Sequence, residues 1–153
     1  MNSITALFDK IDFSKLVPEL DTLLGKLQAV AGWALMIGPI VMVALGLWYY
    51  FLPPKEANHK VGFRTWFGMG SVEAWQFTQR LAGIVWTGLG IVLLVISLIV
   101  ALTFGKKDAM QIATSAFVCL MWQAGLALIG SFAVSFIVFL RYDTLGYRRK
   151  ENE

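Results

Sequence analysis

The sequence has almost none of the residues with which enzymes and disulfide-rich domains do their chemistry. Its 153 residues include one cysteine, Cys119, and one histidine, His59. A single cysteine cannot form an intrachain disulfide, and one histidine leaves no haem pair and no second metal ligand at useful spacing. Charged residues are scarce, at 15%, and no basic stripe alternates with stacking aromatics. We therefore expect no enzyme activity, no catalytic residue, no metal, no cofactor and no nucleic-acid partner.

Long runs without charge are what the sequence has instead. Hydrophobic residues make up 58% of the chain and are clustered, whereas a soluble core interrupts its apolar stretches every few positions. Three runs, residues 30–52, 81–104 and 112–140, each reach the roughly 20 residues that a helix needs to cross a bilayer. We predict an all-α integral membrane protein whose membrane domain, residues 30–140, has three transmembrane helices in contact with lipid.

Residues 1–29 carry a different pattern. Apolar side chains recur there at helical spacing in two groups with a break at residues 14–18: Ile4, Leu7, Phe8 and Ile11, then Leu20, Leu23, Leu24 and Leu27. This spacing predicts two short amphipathic helices ahead of the spans. Because no short basic leader precedes the first run, we expect no cleaved signal peptide.

Local signals predict how the helices begin and bend. Pro39 lies inside the first span, where it removes one backbone hydrogen bond and crowds the carbonyl of Leu35, so a kink is expected. Ser71 is a good N-cap, which predicts a helix that starts there and continues into the second span. Asp108 and Gln111 have the spacing of a capping box, which predicts a tight hairpin between the second and third spans.

Polar and small residues within the spans indicate close helix contact. We expect Gln123 to form a hydrogen bond across helices rather than to bind a substrate. Small residues fall on two stripes: Ala34, Gly38 and Gly46, and Ala127, Ser131 and Ser135. Such stripes permit packing within the chain, in a homo-oligomer or against a partner membrane protein.

Basic residues next to the spans predict the orientation. The connector 53–80 and the tail 141–153 hold most of them: Lys55, Lys60, Arg64, Arg80, Arg141, Arg148, Arg149 and Lys150. Positive residues favour the cytoplasmic side, so we expect an outside N-terminus and a cytoplasmic C-terminus.

The connector 53–80 also carries the most distinctive motif. Its parts are, in order, Asn58, Gly62-Phe63-Arg64-Thr65, Ser71, Glu73-Ala74-Trp75 and Arg80-Leu81-Ala82-Gly83. This combination closely resembles the motif of the SdpI/YfhL family of bacterial integral membrane proteins, over residues 58–83 or about a sixth of the chain.

The resemblance implies a location and a role. The member that gives the family its name is an immunity protein that protects its producer from a secreted killing peptide and helps to hold a cytoplasmic repressor at the membrane. A protein of the bacterial cytoplasmic membrane is therefore implied, acting in peptide immunity or in signal transduction through its cytoplasmic loop, with an antimicrobial peptide or a cytoplasmic repressor as partner. The residues themselves also allow an accessory or structural subunit of a larger membrane complex.

The tail repeats part of the motif. Gly146-Tyr147-Arg148 echoes Gly62-Phe63-Arg64, so the two turns would form one basic, aromatic surface beneath the membrane, or each would place its ring and guanidinium among lipid headgroups. The candidate motif and partner-binding residues are Asn58, Gly62, Phe63, Arg64, Thr65, Ser71, Glu73, Trp75, Arg80, Gly146, Tyr147 and Arg148.

Several of these side chains have two interpretations. Arg64 and Glu73 either pin the loop to the helix start by a charge-assisted hydrogen bond or receive a partner. Trp75 is expected as an interfacial anchor, although it would also suit a peptide or a lipid tail. Arg80 is expected to reach lipid phosphate from the membrane boundary, and His59 to be a solvated loop residue.

Overall fold

Three long helices make up most of the computed structural model, which describes residues 13–58 and 60–149. They are α1 (Phe13–Phe51), α2 (Val72–Leu102) and α3 (Ala109–Arg141), and short 3-10 turns lie at Phe67–Met69 and Phe104–Lys106. Each of the three is long and apolar enough to cross a membrane. Within the described ranges there is no strand, only one isolated bridge, so the all-helical class and the three membrane-length helices are confirmed.

The predicted break ahead of the first span is wrong. α1 is helical without interruption from Phe13 to Phe51, so the segment that carries Leu24 is part of the first span's helix. Leu24 continues at helical spacing the inward-facing stripe of Leu35 and Met42, and Pro18 in the predicted break removes only one backbone hydrogen bond near the start of α1. The other predicted helix, residues 4–11, lies outside the described residues.

A hydrogen bond from α3 compensates for the proline in α1. In a regular helix the carbonyl of Leu35 would accept from the N–H of residue 39, but Pro39 has none. The Gln123 side-chain nitrogen donates instead to that carbonyl at 2.9 Å, and it lies 2.8 Å from the Ser97 hydroxyl on α2. Gln123 is buried, and the predicted hydrogen bond across helices is confirmed. The kink at Pro39 stays a prediction.

Glycines bring α1 and α2 close together. A Cβ on Gly46 would lie 2.6 Å from the backbone nitrogen of Thr87, and one on Gly83 would lie 2.8 Å from the carbonyl oxygen of Gly46. Gly46 is therefore used for packing within the chain, whereas Ala34 and Gly38 of the same stripe are exposed.

The connection between α2 and α3 is the predicted capping box. Asp108 accepts a hydrogen bond from the Gln111 backbone at 2.8 Å, and the Gln111 side chain accepts one from the Asp108 backbone at 3.4 Å. Phe104 is buried in the turn, in one cluster with Leu35 and Ile112. The hairpin therefore closes one end of the bundle, and the motif residues lie at the other.

Candidate functional site

The loop 53–71 and the tail meet at the first turn of α2. The Ser71 hydroxyl accepts a hydrogen bond from the Ala74 backbone at 3.1 Å, which confirms it as the N-cap. The same hydroxyl donates to the carbonyl of Gly146 at 2.8 Å. Loop and tail are thus on the same side of the bundle. We call this assembly, formed by residues 53–80 and 141–149, the motif end.

The first Gly-aromatic-Arg turn lies across a buried tryptophan. Gly62 has φ +115°, and a Cβ there would approach the Trp75 ring to 2.7 Å. The Trp75 ring nitrogen donates to the carbonyl of Pro54 at 2.8 Å, and its side chain is fully buried. The prediction of Trp75 as an interfacial anchor is therefore wrong, because the loop, and not lipid, covers the ring.

Gln79 holds the next residue of this turn by both of its backbone polar groups. Its side-chain oxygen accepts from the N–H of Phe63 and its nitrogen donates to the carbonyl of Phe63, each at 2.8 Å. Gln79 is buried, and it satisfies both partly buried polar groups of Phe63. The sequence motif did not single out Gln79, since its partner is 16 residues earlier in the chain.

Asn58 and Thr65 shape the same loop through short-range hydrogen bonds. The Asn58 side-chain oxygen accepts from the backbones of Lys60 at 3.0 Å and Val61 at 2.8 Å. The Thr65 hydroxyl, which is buried, accepts from the backbone of Gly68 at 3.0 Å. Both residues therefore fix the course of the loop rather than present a polar group to a ligand.

The second Gly-aromatic-Arg turn is built in a similar way. Gly146 has φ +78°, and a Cβ there would collide with the backbone of Ser71. The Asp143 side chain accepts from the backbones of Leu145 at 2.9 Å and Tyr147 at 2.8 Å, so it closes the turn. Asp143 was also missed from the sequence, although an aspartate ahead of a glycine is a turn signal.

An ion pair joins this turn to the start of α2. Arg148 lies 2.7 Å from the Glu73 carboxylate, and the buried Tyr142 donates its hydroxyl to that carboxylate at 3.4 Å. A hydrogen bond with Tyr142, and then the charge of Glu73, raise the pKa of Arg148 above its usual value. The ion pair that the structure gives to Glu73 is therefore with the tail.

The candidate residues divide into two groups. Those that are buried or half-buried form the turns: Asn58, Gly62, Phe63, Thr65, Ser71, Trp75 and Gly146. Those that remain exposed are mostly charged: Arg64, Glu73, Arg80, Tyr147 and Arg148. Arg80 belongs to neither turn. His59 lies outside the described residues, and residues 13–58 and 60–149 contain no cluster of His, Cys, Asp or Glu that could hold a metal ion.

Comparison with known families identifies the chain. The model of the SdpI/YfhL protein family matches residues 55–142, more than half of the 153 residues. The chain belongs to the SdpI/YfhL family. No curated protein and no solved structure shows significant similarity to it. The SdpI/YfhL match includes most of the loop and all of α2 and α3, and it ends at Tyr142, so the turn at Gly146 lies just beyond it.

Proposed function

We propose that this SdpI/YfhL protein acts in the bacterial cytoplasmic membrane as an immunity and signal-transduction protein, with the motif end as its contact face for a partner. The observation that carries the proposal is the division of the motif residues. Buried members give the loop one shape, and exposed members, Arg64 and the pair of Glu73 with Arg148, present charge on that shape.

Exposed apolar side chains around these charges support the same role. Trp66 is 80% exposed, and Leu145 and Tyr147 are also largely exposed. Tryptophan, tyrosine and arginine are the residues that contribute most often to the energetic centre of a protein interface. A killing peptide or a cytoplasmic repressor that contacts this face would cover these rings and meet the charged groups beside them.

Expression in a strain sensitive to a killing peptide of this type tests the proposal. We expect the intact chain to raise tolerance, and Arg64→Ala or Glu73→Ala to abolish that gain while the protein still inserts into the membrane. Because the Glu73 and Arg148 side chains are both more than half exposed, solvent screens their pair and the pair contributes little to stability. Loss of tolerance at normal protein levels would therefore reflect loss of contact.

Lys55→Ala is the matched control, since Lys55 is an exposed cation of the same loop outside the motif. It should leave tolerance unchanged. If the intact chain gives no protection at normal membrane levels, immunity is excluded as its role.

A second candidate function is an accessory subunit of a membrane complex. The exposed Ala34 on α1 favours it, because a small residue on an outer helix face lets another helix approach closely. Purification in mild detergent separates the two functions. A stoichiometric, unrelated membrane partner supports the subunit, and a homo-oligomer or a lone chain weakens it.

A further inference from the structure

Three arginines surround a recess at the end of α3. The recess has a volume of about 510 Å³, and it is lined by Ile137, Leu140, Arg141, Arg148 and Arg149. The arginines make one part of the recess cationic. Ile137 and Leu140 make the other part aliphatic, and we call this part the floor. No part of the proposed partner contact needs Arg141, Arg149 or the two aliphatic residues.

The guanidinium groups are held in place by their neighbours. Arg141 lies 4.4 Å from the centroid of the Phe77 ring, and Arg149 lies 4.6 Å from that of Phe139. The Arg149 Nε also donates to the carbonyl of Tyr142 at 3.2 Å. A guanidinium that stacks on a ring uses its face and leaves N–H groups on its edge for an anion. The recess is therefore preorganised.

The local charge is positive. Glu73 is the carboxylate that the structure pairs with Arg148, while the Asp143 carboxylate accepts from two backbone N–H groups of its own turn. Among the described residues, three guanidinium groups thus face two carboxylates, both already engaged. An anion in the recess would gain charge-assisted hydrogen bonds from these guanidinium groups.

The aliphatic floor lies on the membrane side of the arginines. Ile137 and Leu140 are 40% and 56% exposed on the last turn of α3, and Ile137 is roughly 6 Å deeper along the helix than Arg141. Charge at the interface with exposed aliphatic surface beneath it matches one class of molecule, an anionic amphiphile. A soluble anion would leave the floor uncovered.

We propose that the recess binds one anionic phospholipid, with the phosphate on Arg141, Arg148 and Arg149 and an acyl chain along Ile137 and Leu140. Selectivity comes from charge, because a zwitterionic headgroup brings a cation to a site that already has three. The proposal depends neither on the immunity role nor on which leaflet the motif end faces.

Native mass spectrometry of the full chain in detergent tests the proposal by titration with phosphatidylglycerol or with phosphatidylcholine of the same acyl chains. We expect phosphatidylglycerol to be retained preferentially. Arg141→Gln with Arg149→Gln should weaken its retention about fivefold for each guanidinium removed. Lys55→Gln, which removes an exposed cation of the motif end outside the recess, should not change retention. Circular dichroism confirms that each variant is folded.

A second variant tests the floor and keeps every guanidinium. Leu140→Gln should weaken retention of phosphatidylglycerol while the preference over phosphatidylcholine persists. Equal retention of the two lipids, or unchanged retention in the folded arginine variant, overturns the proposal. Displacement of the lipid by inorganic phosphate at similar concentration would identify a soluble anion as the occupant, and a lipid-free dimer would identify a second copy. Either result also overturns it.

Discussion

At the scale of single residues, side chains hold the motif end by forming hydrogen bonds that a neighbouring backbone segment would otherwise form. Gln79 offers one acceptor and one donor to the two polar groups of Phe63, as a neighbouring strand would. The Trp75 ring nitrogen satisfies the carbonyl of Pro54 at the other side of the loop. Next to the hydrocarbon, an unpaired backbone group is costly, so these contacts give an irregular loop one defined path.

Replacing Gln79 by leucine should therefore destabilise the protein. Gln79→Leu leaves the partly buried N–H and carbonyl of Phe63 without Gln79 as their partner, at a cost of about 1 kcal/mol for each group. Thermal unfolding in detergent should show a clearly lower midpoint. Gln76→Leu, on an exposed position of the same helix, is the matched control and should have little effect. Equal midpoints for the two variants would show that the hydrogen bonds between Gln79 and Phe63 contribute nothing to stability.

A residue's role could be predicted from the sequence when its hydrogen-bond partner lies close to it along the chain. Ser71 was identified as an N-cap because its partner is three residues away, in a pattern visible in the sequence. Gln79 was missed because its partner lies across a loop whose path was unknown. Trp75 was misassigned because a tryptophan near a span has the same local sequence whether lipid or the protein's own loop covers it.

At the scale of the helices, one side chain compensates for a defect in another helix. Pro39 leaves the Leu35 carbonyl without its helical donor, and Gln123 of α3 supplies the donor from a distance of 88 residues along the chain. The sequence predicts the lost backbone hydrogen bond at Pro39 from helix geometry and, separately, a hydrogen bond across helices from the polar Gln123. Their meeting required the packing of α1 against α3.

A double-mutant cycle tests this compensation. Gln123→Leu should destabilise the protein by about 1–2 kcal/mol, because the Leu35 carbonyl then has no donor in the membrane. In a Pro39→Ala background, which restores the helical N–H, the same change should cost less. Denaturation in mixed micelles measures both. Ser97→Ala removes a different partner of Gln123 and leaves the Leu35 carbonyl with its donor, so its cost should be the same in both backgrounds. Simple additivity of Pro39→Ala and Gln123→Leu would contradict the mechanism.

The predicted extents of the helices are correct where the sequence signals are local. The prediction is wrong where a break was inferred from spacing. The uncharged runs predicted the three membrane-length helices, and the capping box of Asp108 and Gln111 predicted the hairpin between the second and third. The break at residues 14–18 was inferred from a gap in apolar spacing. A gap in apolar spacing does not by itself end a helix, and Pro18 within it removes only one backbone hydrogen bond near the start of α1, so α1 is continuous across it.

At the scale of the whole molecule, the loop and the tail form a single end because two crossings, α2 and α3, separate them along the chain. Contact between Ser71 and Gly146 places them together, while Lys106 lies in the opposite hairpin. The basic residues of that shared end outnumber those of the other, which is the basis for expecting it in the cytoplasm.

Thiol labelling in intact cells tests this arrangement. In a Cys119→Ser background, which removes the buried native thiol, we expect Lys106→Cys to react with a membrane-impermeant reagent. Lys60→Cys and Thr144→Cys, both at exposed positions of the motif end, should react only after permeabilisation. The opposite pattern would reverse the orientation and place the partner surface outside the cell, where a secreted peptide could reach it directly. Reaction of positions 60 and 144 from different sides would contradict the joined motif end, because the hydrogen bond between Ser71 and Gly146 cannot form across a bilayer.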